Sequence, residues 1–177
     1  MTNDKIKKID SLLYTHRIAL LSKAAWKTAE KEWADWITDY NISINEHLIL
    51  MTIQSLGKTT ISDVSRFGIM HVSTVYNFAK NLEKKELIKL EKDPSDKRNT
   101  YLYITDKGLE LIDEILSLYE IETNLIYNAA ECYKEELYSY PSYNDLTYLV
   151  GKIHGKPFLD SIEKSHNQIR KHLLDKK

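Results

Sequence analysis

Apolar side chains return at intervals of three and four along residues 10–40, with Trp26, Ala29, Trp33, Ile37 and Tyr40 following Ile9, Leu12, Leu13, Ala19 and Leu20. That spacing lines one face and predicts a single long helix. No Gly or Pro interrupts it. About thirty residues would run roughly 45 Å at 1.5 Å each, longer than a small lobe can cover, so part of the apolar face is expected to need another chain. The three tryptophans at helical spacing read as packing surface rather than as a ligand-stacking box. Ser43-Ile-Asn-Glu46 has the form of a capping box and opens a second helix through Leu48, Ile49, Met51, Thr52 and Ile53, ending near Gly57. His47, alone in its first turn, reads as a packed or solvated histidine rather than a ligand.

Thr60-Ile-Ser-Asp63 is another helix start, burying Ile61, Val64 and Phe67. Gly68 is expected to take the left-handed conformation of the turn that follows. A further helix, about Val72 to Lys85, sets Val75, Phe78, Ala79 and Leu82 at i, i+3, i+4 and i+7, an inward stripe. Its opposite face carries Ser73, Thr74, Tyr76, Asn77, Lys80, Asn81 and Lys84. Hydroxyls, amides and ammonium groups bond base edges and phosphates, although a solvated helix face has the same composition. Leu87–Glu91 and Thr100–Ile104 alternate like strands, and KDPSDKRN between them turns at Pro94 and Ser95. Two helices across a Gly turn followed by a basic hairpin describe a helix-turn-helix with a wing. A basic tip can lie along the DNA backbone or place an arginine in the narrow minor groove.

Thr105-Asp-Lys-Gly108 caps a helix expected to run to about Ala130, with Leu109, Ile112, Ile115, Leu116 and Tyr119 inward. Residues 131–144 are rich in tyrosine and acid. Pro141 suits the entry to a helix through Leu146, Leu149, Val150 and Ile153, closed by Gly155. Pro157 suits the first turn of a last helix, 157–174, carrying Phe158, Ile162, Ile169 and Leu173.

Composition narrows the class. The 177 residues are 42% hydrophobic and 29% charged, ordinary for a globular protein. No apolar run approaches a membrane span, and no apolar stretch follows the lysines of MTNDKIKKID as a secretory signal would. A lone cysteine, Cys132, leaves no internal disulfide, so the expected compartment is the cytoplasm. The net charge of −1 conceals an asymmetry. Residues 66–98 carry eight Lys/Arg against five Asp/Glu, whereas residues 106–148 carry ten acids against Lys107 and Lys134. The first stretch can approach phosphate and the second should avoid it.

The five glycines match neither dinucleotide nor Walker spacing. The six histidines include no i,i+4 metal pair, no second thiol completes a zinc knuckle, and there is no GxSxG elbow. No catalytic role and no cofactor are expected. Cys132 lies among Glu131, Glu135 and Glu136, a poor setting for a sensing thiolate.

The stretch Thr60–Thr105 resembles the MarR family of winged-helix repressors. Asp96-Lys-Arg98, then Ile104-Thr105 and Gly108, are similar to the family's D-x-R…(L/I)-T…G signature. Thr60-x-x-Asp63-Val64, Ser73-Thr74-Val75 and Leu82–Lys85 resemble its helix-pair pattern, and residues 18–120 look closer still to the Hpr (ScoC) subgroup. The segment Gly68–Ser73 is one residue longer than in most of the family, and Glu86 stands where a glycine usually precedes the first wing strand.

The resemblance implies a mainly α fold (an α+β winged helix). A winged helix-turn-helix lobe at 43–105 would carry a two-stranded wing, between an N-terminal dimerisation helix at 1–42 and a C-terminal helical dimerisation region at 106–177. It implies a homodimer on a palindromic-like operator in double-stranded DNA, without a membrane. Arg98 would enter the minor groove, held by Asp96, with Lys97 and Asn99 beside it on the wing. Ser73, Thr74, Tyr76, Asn77, Lys80, Asn81 and Lys84 would face the major groove. Hpr-like members repress extracellular protease and sporulation genes in bacilli. Many family members release DNA when a small aromatic acid binds between the dimer helices and the DNA lobe. No cation is visible among the aromatics here to clamp such an effector.

Overall fold

The computed structural model describes residues 3–92 and 99–175. Its elements run α1 (Asn3–Trp36), a 3-10 turn (Thr38–Tyr40), α2 (Ile44–Leu56), β1 (Thr59–Thr60), α3 (Ile61–Phe67), α4 (Val72–Lys84), β2 (Ile88–Lys92), β3 (Thr100–Ile104), α5 (Asp106–Ser117), α6 (Leu125–Leu137), α7 (Asn144–His154) and α8 (Lys156–Asp175). The fold is mainly helical with one small antiparallel sheet. By its internal contacts the chain forms two compact units: Met1–Asp35 with Glu120–Pro141, and Trp36–Tyr119 with Ser142–Lys177.

In the first unit, α1 is the long helix its spacing predicts, but it begins at Asn3 and stops at Trp36. The chain leaves through the 3-10 turn and a left-handed Asn41 (φ 51°), a residue that tolerates that region. Most of the apolar face of α1 stays in solvent: Leu12 is 67% exposed, Leu21 63% and Trp26 46%. The packing role expected of Trp26 is therefore not met within this chain. α6 is a separate helix. The expected continuation of α5 to Ala130 fails because residues 118–124 leave the helix and Asn124 starts a new one, its side chain accepting from the Tyr127 N–H at 2.7 Å. Glu32 accepts from the Leu125 N–H at 2.9 Å, linking α1 to the first turn of α6.

In the second unit both capping boxes form. Ser43 exchanges bonds with Glu46, and Thr60 with Asp63. The sheet has three strands rather than the expected pair, in the order β1-β3-β2. β1 is only two residues long, too short to leave a period in the sequence, and Thr59 pairs with Leu102. Across β2 and β3, Ile88 pairs with Ile104 and Leu90 with Leu102. This register puts Ile88 and Leu102 on the buried face, against a core of Ile49, Leu50, Ile53, Val64, Val75, Ala79, Leu82, Ile112 and Ile115. α8 packs against α2, α3 and α5, and its Phe158 is buried. Tyr119, expected inward, is 45% exposed, since it lies beyond the end of α5. Trp36 Nε1 donates to the Ile115 carbonyl at 3.0 Å, and its ring meets those of His47 and Tyr119 edge-on.

α4 ends in a left-handed Glu86 (φ 63°), at the position where a glycine would be free of strain. The N–H groups of Glu86 and Leu87 bond the carbonyls of Glu83 and Leu82, which is the Schellman closure. Thr105 Oγ1 donates to the Glu86 carbonyl at 2.8 Å and the Thr105 N–H to that of Leu87 at 3.1 Å. A β-carbon on Gly108 would overlap the Leu87 carbonyl oxygen, so this glycine permits a close backbone approach. Gly108→Ala is expected to destabilise the protein by roughly 2–4 kcal/mol. Glu86→Gly, which relieves the left-handed residue, should be neutral or stabilising by up to about 1 kcal/mol. Urea unfolding of the two variants beside the parent checks both.

His47 is 1% exposed, and burial lowers its pKa from 6.5 to about 4. The folded protein therefore holds a neutral imidazole that the unfolded chain protonates below about pH 6.5. The contribution is complete above that pH and declines as pH falls towards 4. Urea midpoints should drop by an equivalent of about 2 kcal/mol between about pH 6.5 and about pH 5, and His47→Gln should flatten that slope.

Candidate nucleic-acid interface

The pair α3–α4 is set by its connecting turn. The expectation that Gly68 is left-handed is overturned: it has φ −86°, and Ile69 takes the positive value, φ 50°. Ser65 fixes this, because its carbonyl accepts from the Met70 N–H at 3.0 Å and its hydroxyl donates to the Met70 carbonyl at 2.5 Å. With Met70 held, the reversal falls one residue after the glycine. A β-carbon at Gly68 would press on the Val64 carbonyl oxygen and the Met70 side chain, so the glycine is needed for space. A β-branched residue in the left-handed region costs about 1–2 kcal/mol and persists only where its surroundings over-determine it.

From that turn α4 presents its predicted faces. Val75, Ala79 and Leu82 are fully buried and Phe78 is half-buried. Outward, Ser73, Tyr76, Asn77, Asn81 and Lys84 are exposed, and Thr74 and Lys80 are half-buried. Around the start of α4 two apolar residues not anticipated as exposed lie in solvent, Ile69 at 62% exposure and Val72 at 51%. Val72 stands three residues before Val75 and so looks like a continuation of the inward stripe. It is instead the first residue of α4, beyond the reach of the core.

Two of the cations are engaged. Lys80 pairs with Glu83 at 2.8 Å, and its Nζ lies 5.9 Å from the Tyr76 ring centroid. The Glu83 hydrogen bond raises the Lys80 pKa, and the same bond lowers that of Glu83. The other Glu83 oxygen accepts from the Leu90 N–H at 3.1 Å, bracing α4 against the first hairpin strand. Lys85 leaves the outward face altogether. It bonds the carboxylate of the buried Glu46 at 3.1 Å and the Asn41 carbonyl at 2.7 Å, fastening the end of α4 to the start of α2.

Lys89, Glu91 and Lys92 are exposed on β2, and Asn99 is half-buried before β3. Pro94, Ser95, Asp96, Lys97 and Arg98 lie outside the described residues. Among the described residues no group of three or more His, Cys, Asp or Glu is placed to hold a metal ion. Nor is any helix among them long and apolar enough to cross a membrane.

Residues 42–100 match the model of the MarR family. The HTH-type transcriptional regulator Hpr of Bacillus cereus (strain B4264) is 39% identical over 166 residues, covering 94% of this chain and 90% of that protein. The chain belongs to the MarR family. Among solved structures, AbfR of Staphylococcus epidermidis aligns with a TM-score of 0.59 at 16% identity, covering 96% of this chain and 99% of its own. A mutant MarR from E. coli complexed with operator DNA aligns at 0.55 and 15% identity, covering 77% and 95%. Both have the winged-helix fold found here. As a MarR-family chain similar to Hpr over nearly its whole length, the protein is a DNA-binding transcriptional regulator.

Within α4, Glu83 ties the helix to β2, whereas Lys80 pairs only along its own helix. Glu83→Ala removes the acceptor of the Leu90 N–H and should cost about 1 kcal/mol, a modest loss because the site is partly wet. Lys80→Ala should leave stability nearly unchanged. Chemical denaturation of both variants distinguishes the roles.

Proposed function

We propose that this MarR-family protein is a homodimeric repressor that binds a palindromic-like operator and acts by occupancy rather than catalysis, in the cytoplasm. One observation carries the reading. The outward face of α4 is a run of hydroxyl, amide and ammonium groups whose backbone is fixed at both ends, by the Ser65–Met70 turn and by the Glu86–Leu87 closure. A donor and acceptor array held rigidly is what base-edge readout in the major groove requires. Ser73, Thr74, Tyr76, Asn77, Lys80, Asn81 and Lys84 are the proposed contacts. Ile69 and Val72 add apolar surface suited to a thymine methyl group. Asp96, Lys97, Arg98 and Asn99 are proposed to serve the wing, with Arg98 in the minor groove and Asp96 holding it.

The dimer is proposed from the first unit. A soluble chain rarely leaves so many large apolar residues of one helix in water, and Leu12, Leu13, Leu20, Leu21 and Trp26 of α1 are all more than 40% exposed. Residues 1–42 and 106–177 would knit the two copies, leaving 43–105 to read DNA. Similarity to Hpr of Bacillus cereus supports repression, with extracellular protease and sporulation genes as candidate targets. Two half-sites would lie about one helical turn, some 34 Å, apart.

Selection of bound duplexes from a random pool should return paired half-sites at that spacing, and an unstructured pool would overturn the reading. On a selected site, Arg98→Ala should weaken binding by about 1 kcal/mol or more without unfolding the protein. Lys84→Ala should lower the salt slope by about one unit.

A further inference from the structure

The strain at Ile69 is not offset within the folded chain. Its φ of 50° lies in the left-handed region, which a β-branched residue enters only at a cost. Gly68, one residue earlier, could take that conformation freely, yet it sits at φ −86° and leaves the reversal to Ile69. Burial does not repay the cost either, because Ile69 is 62% exposed. The conformation is imposed by its neighbours: the Ser65 carbonyl accepts from the Met70 N–H at 3.0 Å, and the Ser65 hydroxyl donates to the Met70 carbonyl at 2.5 Å. Strained residues that their surroundings over-determine cluster where a protein meets its ligand.

The place of Ile69 narrows what that ligand group is. Only Met70 and His71 separate it from α4, whose first residue, Val72, is 51% exposed. Val72 stands four residues before Tyr76, so the two share one side of the helix. In a helix-turn-helix the N-terminal residues of the second helix are those that meet base edges in the major groove. Those edges offer one apolar group, the 5-methyl of thymine. We propose that Ile69 is a specificity-determining residue that closes on the 5-methyl group of one thymine in each half-site, the left-handed backbone setting its side chain there. The proposal rests on the operator reading. Cytosine at the same position presents an amino donor and no methyl group, and is disfavoured.

The full-length protein and a duplex enriched by selection test this. Each thymine of one half-site is replaced in turn by deoxyuridine, which removes the methyl group and keeps every hydrogen-bonding atom. The parent protein should lose about fourfold in affinity at one position, the worth of one buried methyl group. Ile69→Asn and Ile69→Gly, residues at ease in the left-handed region, should bind the thymine and deoxyuridine duplexes alike at that position. Each ratio is taken within one protein, so a general change in affinity cancels. An enriched site without thymine, a parent indifferent to every replacement, or either variant responding as strongly as the parent would overturn the proposal and leave the operator reading standing. A pool with no enriched duplex would overturn both.

Discussion

The backbone of α5 touches the backbone of the α4–β2 junction at Gly108, and the winged-helix lobe depends on that contact. The Leu87 carbonyl lies where a side chain on residue 108 would be, and the same carbonyl accepts the Thr105 N–H. Thr105 is also the cap of α5, its hydroxyl accepting from the Gly108 N–H and donating to the Glu86 carbonyl. Four structural events thus share about six residues: the end of α4, the start of β2, the end of β3 and the start of α5. The hairpin cannot tilt without breaking bonds that also terminate α4. That is the physical content of the Thr105…Gly108 part of the family signature.

The lobe tolerates two strained residues, Ile69 and Glu86, one at each end of α4. Neither is a glycine, and each is held by bonds on the residues beside it: Ser65 to Met70 at the start, and Glu83, Leu82 and Thr105 at the end. Together the strain amounts to a few kcal/mol, repaid in a helix whose register is defined at both termini. Lys85 and the buried Glu46 add a third fixed point by tying the helix end to α2. Rigidity of this kind matters more for readout than for stability, because base-edge hydrogen bonds tolerate little displacement.

Much of this was legible in the sequence where a local signal has one physical meaning. Ser43…Glu46 and Thr60…Asp63 form the boxes their spacing announces, and the Val75, Ala79 and Leu82 stripe is buried. Other features turn on non-local geometry. The left-handed residue falls on Ile69 because Ser65 holds Met70, an interaction no propensity encodes. Strand β1 exists because β3 passes beside it. The break between α5 and α6 contains neither Gly nor Pro, and only the Asn124 cap marks where the chain resumes. The double duty of Glu83, on Lys80 and on Leu90, is invisible until helix and strand are set side by side.

β3 lies between β1 and β2, so it has partners on both sides, while β2 forms the rim of the sheet. A strand with one open edge invites another strand to complete it. β2 is only five residues long, and Lys89, Glu91 and Lys92 stand exposed along it. Two like edges brought together would have to bury or oppose those charges. The charges along β2 thereby disfavour edge-to-edge pairing of this sheet with that of another copy.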